Sequence, residues 1–160
     1  MRRSRWWVLV LLALLTAVLH LLWLRFMLYS AKSIPLEGWY SGVANLVICL
    51  PSIYLGVQVK HLKKREKTWM GPVGAARVAA LGLSLSHLGA LLGGYFAAKV
   101  ILLAGNLENE SLAAWMGPGV FGLVTAAVML GTGLWIEHIC TVDPKGPPEA
   151  PSSSVGLGVV

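Results

Sequence analysis

Charge is scarce in this sequence. Asp, Glu, Lys and Arg together make up 12% of its 160 residues, against roughly 25% in soluble domains. With 56% hydrophobic residues and a mean hydropathy of +0.70, the chain is too apolar to be a water-soluble globule. Cysteine is equally thin, with Cys49 and Cys140 alone. One falls mid-way along an apolar block and the other at the end of another, so they make no disulfide framework, and neither has a second Cys or a His at ligand spacing. They read as small buried residues. Nucleotide-binding, nucleophile-elbow and zinc-protease signatures are all absent, so no catalytic grouping, metal or cofactor is indicated and the expectation is that the protein is not an enzyme. The net charge of +6 does not point to nucleic acid either, because basic stripes interleaved with aromatics are missing.

What the sequence does have is long apolar blocks. A hydrocarbon core of about 30 Å needs about 20 apolar residues per helix, and four blocks meet that length, at about 6–28, 39–59, 73–103 and 113–140. The first follows a basic start, MRRSR, as a signal peptide would. Its apolar region is too long for that, and YSAK at 29–32 is a poor cleavage site, so an uncleaved first helix is expected. Asn45 and Pro51 interrupt the second span, and the proline predicts a kink. The third is long for one crossing, which predicts tilt or projection beyond the bilayer. Residues 141–160, rich in Pro, Ser and Gly, read as a disordered tail. The fold expected is therefore an all-α integral membrane bundle of four transmembrane helices.

Lys and Arg flank these blocks unevenly. With the N-terminus inside, ten cations (Arg2, Arg3, Arg5, Lys60, Lys63, Lys64, Arg65, Lys67, Arg77, Lys145) fall on the cytoplasmic side and three (Arg25, Lys32, Lys99) outside. That asymmetry predicts both termini in the cytoplasm of a multi-pass inner-membrane protein. Trp6, Trp7, Trp39, Trp69, Trp115 and Trp135 fall near span ends, where indoles favour the headgroup level. The basic run containing Lys60, Lys63, Lys64, Arg65 and Lys67 is available to anionic lipid.

Small residues recur along the third span. Gly82, Ser86, Ala90, Gly94 and Ala98 stand four apart, and Gly89, Gly93 and Ala97 form a second column beside them. Residues four apart share a helix face, so both columns are expected to make one smooth strip for close helix packing. Gly122, Ala126, Ala127, Gly131 and Gly133 make the fourth span its natural partner, within one chain or between chains. Among intramembrane polar residues, His87, Asn45 and His20 are the candidates. His87 is expected near mid-depth, and an ionisable group there is a functional hypothesis by default. No acidic partner for a proton relay falls near mid-depth, however, so hydrogen bonding to a neighbour is the expected role. Arg77 and Glu137 begin and end antiparallel neighbours and are expected to form an interfacial ion pair.

The stretches GPVGAARVAALGLSLSHLGALLGGYFA and GLWIEHICTVDP resemble the most recognisable parts of an actinobacterial membrane-protein family, the domain-of-unknown-function family 3180. The resemblance extends over about residues 1–144. Ala75, Ala76 and Arg77 match its third-helix opening, Gly89, Ala90 and Gly94 its small residues, and Glu137 and Cys140 a Glu followed three residues later by Cys. Two positions depart from the pattern: Leu83 stands where members often carry Lys, and His138 where Arg is common. The resemblance implies an inner-membrane protein without an assigned activity, often encoded beside folate-biosynthesis genes. Two readings follow: a non-enzymatic component acting by helix association, with a copy of itself or a membrane-protein partner, or a small oligomeric transporter or channel subunit for a small metabolite.

Overall fold

The structure is a computed structural model that describes residues 6–30, 38–63, 71–106 and 108–140. Arg2, Arg3, Arg5, Lys32, Lys64, Arg65, Lys67, Trp69, Lys145 and the expected tail at 141–160 lie outside the described residues. The fold is all-α, with α1 at Trp6–Tyr29, α2 at Tyr40–Lys63, α3 at Pro72–Ala104, α4 at Glu110–Ala113 and α5 at Met116–Cys140. Four helical segments are long and apolar enough to cross a membrane.

Local chemistry sets the boundaries. Pro72 opens α3 directly after Gly71, a position where its missing N–H is no loss. The helix closes at Gly105, whose N–H donates to Ile101 O at 3.2 Å. α2 runs four residues past the expected end at 59, because Lys60, His61, Leu62 and Lys63 contain no breaker. It also passes unbroken through Pro51, and the Ser52 hydroxyl donates to Ile48 O at 2.8 Å. The fourth span, expected at 113–140, begins at Met116 as α5, and a separate single turn, α4, precedes it. Asn109 caps that turn by accepting from Ser111 N, and α5 has Pro118 in its first turn, where it interrupts no helical bond.

The helices α3 and α5 form the central antiparallel pair, α1 docks on α3, and α2 docks on α5 with a smaller contact to α3. Cys49, Val59, Val78, Leu85, Met129 and Ile136 make the buried cluster where α2, α3 and α5 meet. Close backbone approach at glycines fixes the register. A Cβ on Gly89 would stand 2.5 Å from Leu130 N and 2.7 Å from its Cα. One on Gly133 would run into the Ser86 backbone N and lie 2.8 Å from Gly82 O.

The expected single strip on α3 is thereby corrected. Gly82, Ser86 and Gly89 face α5, whereas Gly94 faces α1, where a Cβ would strike Ala13 O and lie 3.0 Å from Ala17 N. Ala90 and Ala98 are buried and Ala97 half-buried, while Gly93 and Gly131 have nothing within 4 Å of a Cβ. The cause is helical periodicity. At about 100° per residue, each four-residue step advances a column by about 40°. The three steps from Gly82 to Gly94 therefore turn it by roughly 120°, from one partner helix to the next.

The same contacts place aromatic residues at common heights. Gly82 meets Ile136 and Ser86 meets Gly133, so Trp135 is level with about residue 84 of α3. Counting back along α1 from its contact with Gly94 brings Trp6 and Trp7 to that height. Gly56 packs on the Trp135 ring, which brings Tyr54 there as well. Trp6, Trp7, Tyr54 and Trp135 are all exposed. Tyr29, Trp39, Tyr40 and Trp115 gather near the other end of α3, with the Trp39 ring 3.3 Å from a Cβ placed on Gly117. About 20 residues of α3, or roughly 30 Å of rise, separate the two groups.

Candidate functional site

Among the described residues, polar side chains that meet across helices inside this bundle fall into three places, each tied to a different pair of helices. Between α2 and α5, Asn45 is buried and its Nδ2 donates to Thr125 Oγ1 at 3.3 Å. The Thr125 hydroxyl in turn donates to Gly122 O at 3.0 Å. Gly42 stands beside them, where a Cβ would lie 3.4 Å from Thr125 Oγ1. Cys49 is buried on the same side of α2 and Thr132 on that of α5. The Thr132 hydroxyl turns back to Val128 O at 2.9 Å. Both described cysteines are free thiols.

Between α3 and α5, Ser86 is wholly buried and its Oγ lies 2.6 Å from Glu137 Oε1. The same oxygen is 2.9 Å from Leu83 O. One hydroxyl carries one proton, so it serves the carboxylate and the carbonyl in alternation. His87 stands beside it, with Nδ1 2.8 Å from Leu83 O and 3.5 Å from Ser86 Oγ. A carbonyl only accepts, so the Nδ1 that reaches Leu83 O bears the proton.

This arrangement changes two expectations. Glu137 bonds to Ser86, and Arg77 is exposed and about five residues, roughly 7.5 Å of helix rise, from the height of Glu137. The structure gives Arg77 no part in the Ser86 bond. Secondly, His87 has a carboxylate close at hand, one hydroxyl away. It also sits only about three residues, roughly 4.5 Å, from the height of Trp135, well away from the middle of the aromatic-to-aromatic interval.

The third place, between α1 and α3, was not legible in the sequence. Lys99, expected among the outer cations, is buried at 5% exposure. Its Nζ lies 4.6 Å from the Tyr95 ring centroid and 6.0 Å from that of Phe96. His20 packs on the same tyrosine with centroids 4.2 Å apart, and on Trp23 at 5.5 Å. The spacing Tyr95-x-x-x-Lys99 puts ring and ammonium on one face, and that was the available signal. The cation-to-ring geometry suits a desolvated attraction of about 2 kcal/mol.

His87, Asn45 and His20 thus do not converge: each belongs to a different helix pair. Among the described residues no group of three His, Cys, Asp or Glu side chains could hold a metal. A cavity of about 780 Å³ lies outside the helix pairs, at the α3–α4 turn, lined by Ala104, Gly105, Asn106, Glu108, Asn109 and Glu110.

No curated protein and no solved structure matches this chain. The profile of one protein family covers residues 9–144, a region that holds all three polar places and all of the spans except Trp6, Trp7 and Val8. The chain is a multi-pass membrane protein and belongs to that family, the proteins of unknown function DUF3180.

Proposed function

We propose that this protein is a non-enzymatic component of the cell's inner membrane, with both termini cytoplasmic, that works by association with a second copy or a membrane-protein partner. The observation that carries the reading is the use made of its intramembrane polar groups. Asn45–Thr125 and Ser86–Glu137 each tie one helix to another, which is how polar side chains hold a membrane bundle together. A substrate pathway would instead turn them toward one shared cavity. The basic sequence that starts at Lys60 and Lys63 and continues through Lys64, Arg65 and Lys67 adds a contact with anionic lipid on the cytoplasmic side.

A small oligomeric transporter or channel subunit is the second reading, favoured by the His20–Tyr95–Lys99 cluster, since ionisable residues inside a membrane commonly mark pathways. The test is the mass of the complex extracted in mild detergent, measured with Ala127→Trp and Gly131→Trp beside the wild type, because both positions are exposed on α5. A companion or second copy at fixed stoichiometry, lost in one of these variants, is the expected result. A chain that stays monomeric and alone at every detergent ratio overturns the association reading.

A further inference from the structure

The heights of the aromatic residues say where the hydrocarbon ends. Trp and Tyr collect at both membrane–water interfaces, and a hydrocarbon core is about 30 Å thick. The group Trp6, Trp7, Tyr54 and Trp135 comes from three helices, and all four side chains are exposed. Its separation from Tyr29, Trp39, Tyr40 and Trp115 matches that thickness. α1 needs no more than this interval, but the other three long helices continue past it at the Trp135 end. α3 overshoots by residues 72–83, about 18 Å of rise, α2 by 56–63, about 12 Å, and α5 by 136–140, about 7 Å. Val59, Val78 and Ile136 are buried there, so the overshoot is packed helix rather than loose chain.

That packed end carries exposed basic side chains on each of its helices. His138 on α5 stands about 4.5 Å beyond Trp135, Lys60 on α2 about 9 Å beyond Tyr54, and Arg77 on α3 about 10 Å beyond residue 84. All three are exposed. A headgroup layer extends about 5–7 Å on each side of the hydrocarbon, and Lys or Arg side chains bridge the remaining few ångströms by bending toward it. Lys60 and His138 lie near helix C-termini, and helical side chains lean toward their own N-terminus, which here is back toward the bilayer. Among the described residues, the exposed charges at the other end are Arg25, Glu108 and Glu110, one cation and two anions.

We propose that the hydrocarbon ends at Trp6, Tyr54 and Trp135, and that Lys60, Arg77 and His138 form a collar just beyond it that binds the phosphates of anionic phospholipids. The collar rests on the reading that this end meets anionic lipid, and deepens it by assigning the contact to folded helix positions rather than to the run Lys64, Arg65 and Lys67. The occupant is lipid and not a soluble anion, because His138 sits at headgroup height and Lys60 and Arg77 stand only a few ångströms beyond it, within side-chain reach, each on a different helix.

Two measurements test it. In proteoliposomes, and with Cys49→Ala and Cys140→Ala as background, a membrane-impermeant maleimide labels Ala76→Cys and Ala80→Cys but not Leu88→Cys or Leu91→Cys, all four being exposed α3 positions. Equal protection of all four overturns the placement. For the lipid, protein is extracted from vesicles of phosphatidylcholine and phosphatidylglycerol at 7:3, a ratio of about that order giving a fluid anionic surface, and retained lipid is measured by native mass spectrometry. Lys60→Gln with Arg77→Gln lowers retained phosphatidylglycerol several-fold, Lys60→Arg with Arg77→Lys preserves it, and Arg25→Gln leaves it unchanged. Loss confined to a Lys64→Gln, Arg65→Gln, Lys67→Gln variant overturns the collar while leaving the anionic-lipid contact of this end intact. No phosphatidylglycerol preference in the wild type overturns both.

Discussion

Replacing Gly89 or Gly133 with alanine tests whether the α3–α5 seam holds the bundle together. The new methyl carbon would lie 2.5 Å from Leu130 N in the first case, and against the Ser86 backbone in the second. Ordinary carbon contacts lie at about 3.5–4.0 Å, so the shortfall is about 1 Å, and the obstructing atoms are backbone that cannot rotate aside. The helices must part, and a gap of 0.5–1 Å forfeits about a quarter to a half of each contact's dispersion energy along the seam. Overpacking of this kind costs about 1–3 kcal/mol, and lipid restores nothing through apolar burial. Gly93 and Gly131 are the controls, since a Cβ there has nothing within 4 Å. Thermal unfolding in detergent, followed by a thiol-reactive fluorogenic dye, reads this directly. Cys49 is 2% exposed and reports opening once Cys140 is replaced by alanine. The expected fall in Tm is roughly 2–12 °C for Gly89→Ala and Gly133→Ala, at about 2–4 °C per kcal/mol, and within about 2 °C of zero for Gly93→Ala and Gly131→Ala. Four indistinguishable curves would refute the reasoning.

Asn45→Ala should cost about 0.6–1.7 kcal/mol, and a double-mutant cycle with Thr125→Val should show coupling; additive losses would mean the two side chains do not work as a pair. Ser86→Ala should lower Tm by removing a hydrogen bond to a carboxylate, about 1.5–3 kcal/mol, and combining it with Glu137→Gln should cost less than the sum. Arg77→Ala should leave the yield of folded protein unchanged while Glu137→Ala reduces it, and exchanging the two charges should give no rescue, as judged by monodisperse protein recovered in detergent. Lys99→Ala and Tyr95→Leu should each cost about 1–2 kcal/mol of stability, read as a lower Tm, and non-additively in combination.

The four spans were legible because hydropathy and length are local properties, whereas the short turn that the Asn109 side chain caps was not foreseen and lies in what was expected to be a loop. The partners of each span were not. A column of small residues says that something packs closely, but its slow rotation around the helix means that Gly82 and Gly94 serve different neighbours. Sequence spacing alone cannot say where one partner yields to the other. Lys99 was missed for a related reason. Counted as a flanking cation it fits the charge asymmetry, and only the docking of α1 brings His20, with Trp23 stacked on it, against the Tyr95 ring that Lys99 faces.

Arg77 and Glu137 show how register is chosen in such a bundle. Bringing them together would require α5 to slide by about five residues along α3, since the observed register sets Arg77 level with a position beyond Cys140. After that slide, Gly133 would face Leu81 in place of Ser86, and Gly89 would face Thr125 in place of Leu130. The seam would then have to open to admit a leucine against backbone. An exposed ion pair contributes about 0–1 kcal/mol, less than the about 1–3 kcal/mol at stake from a single overpacked position, and several positions would be overpacked at once. Close packing outweighs the charge, so Arg77 is left at the surface and Glu137 takes the hydroxyl that the packed register brings to it.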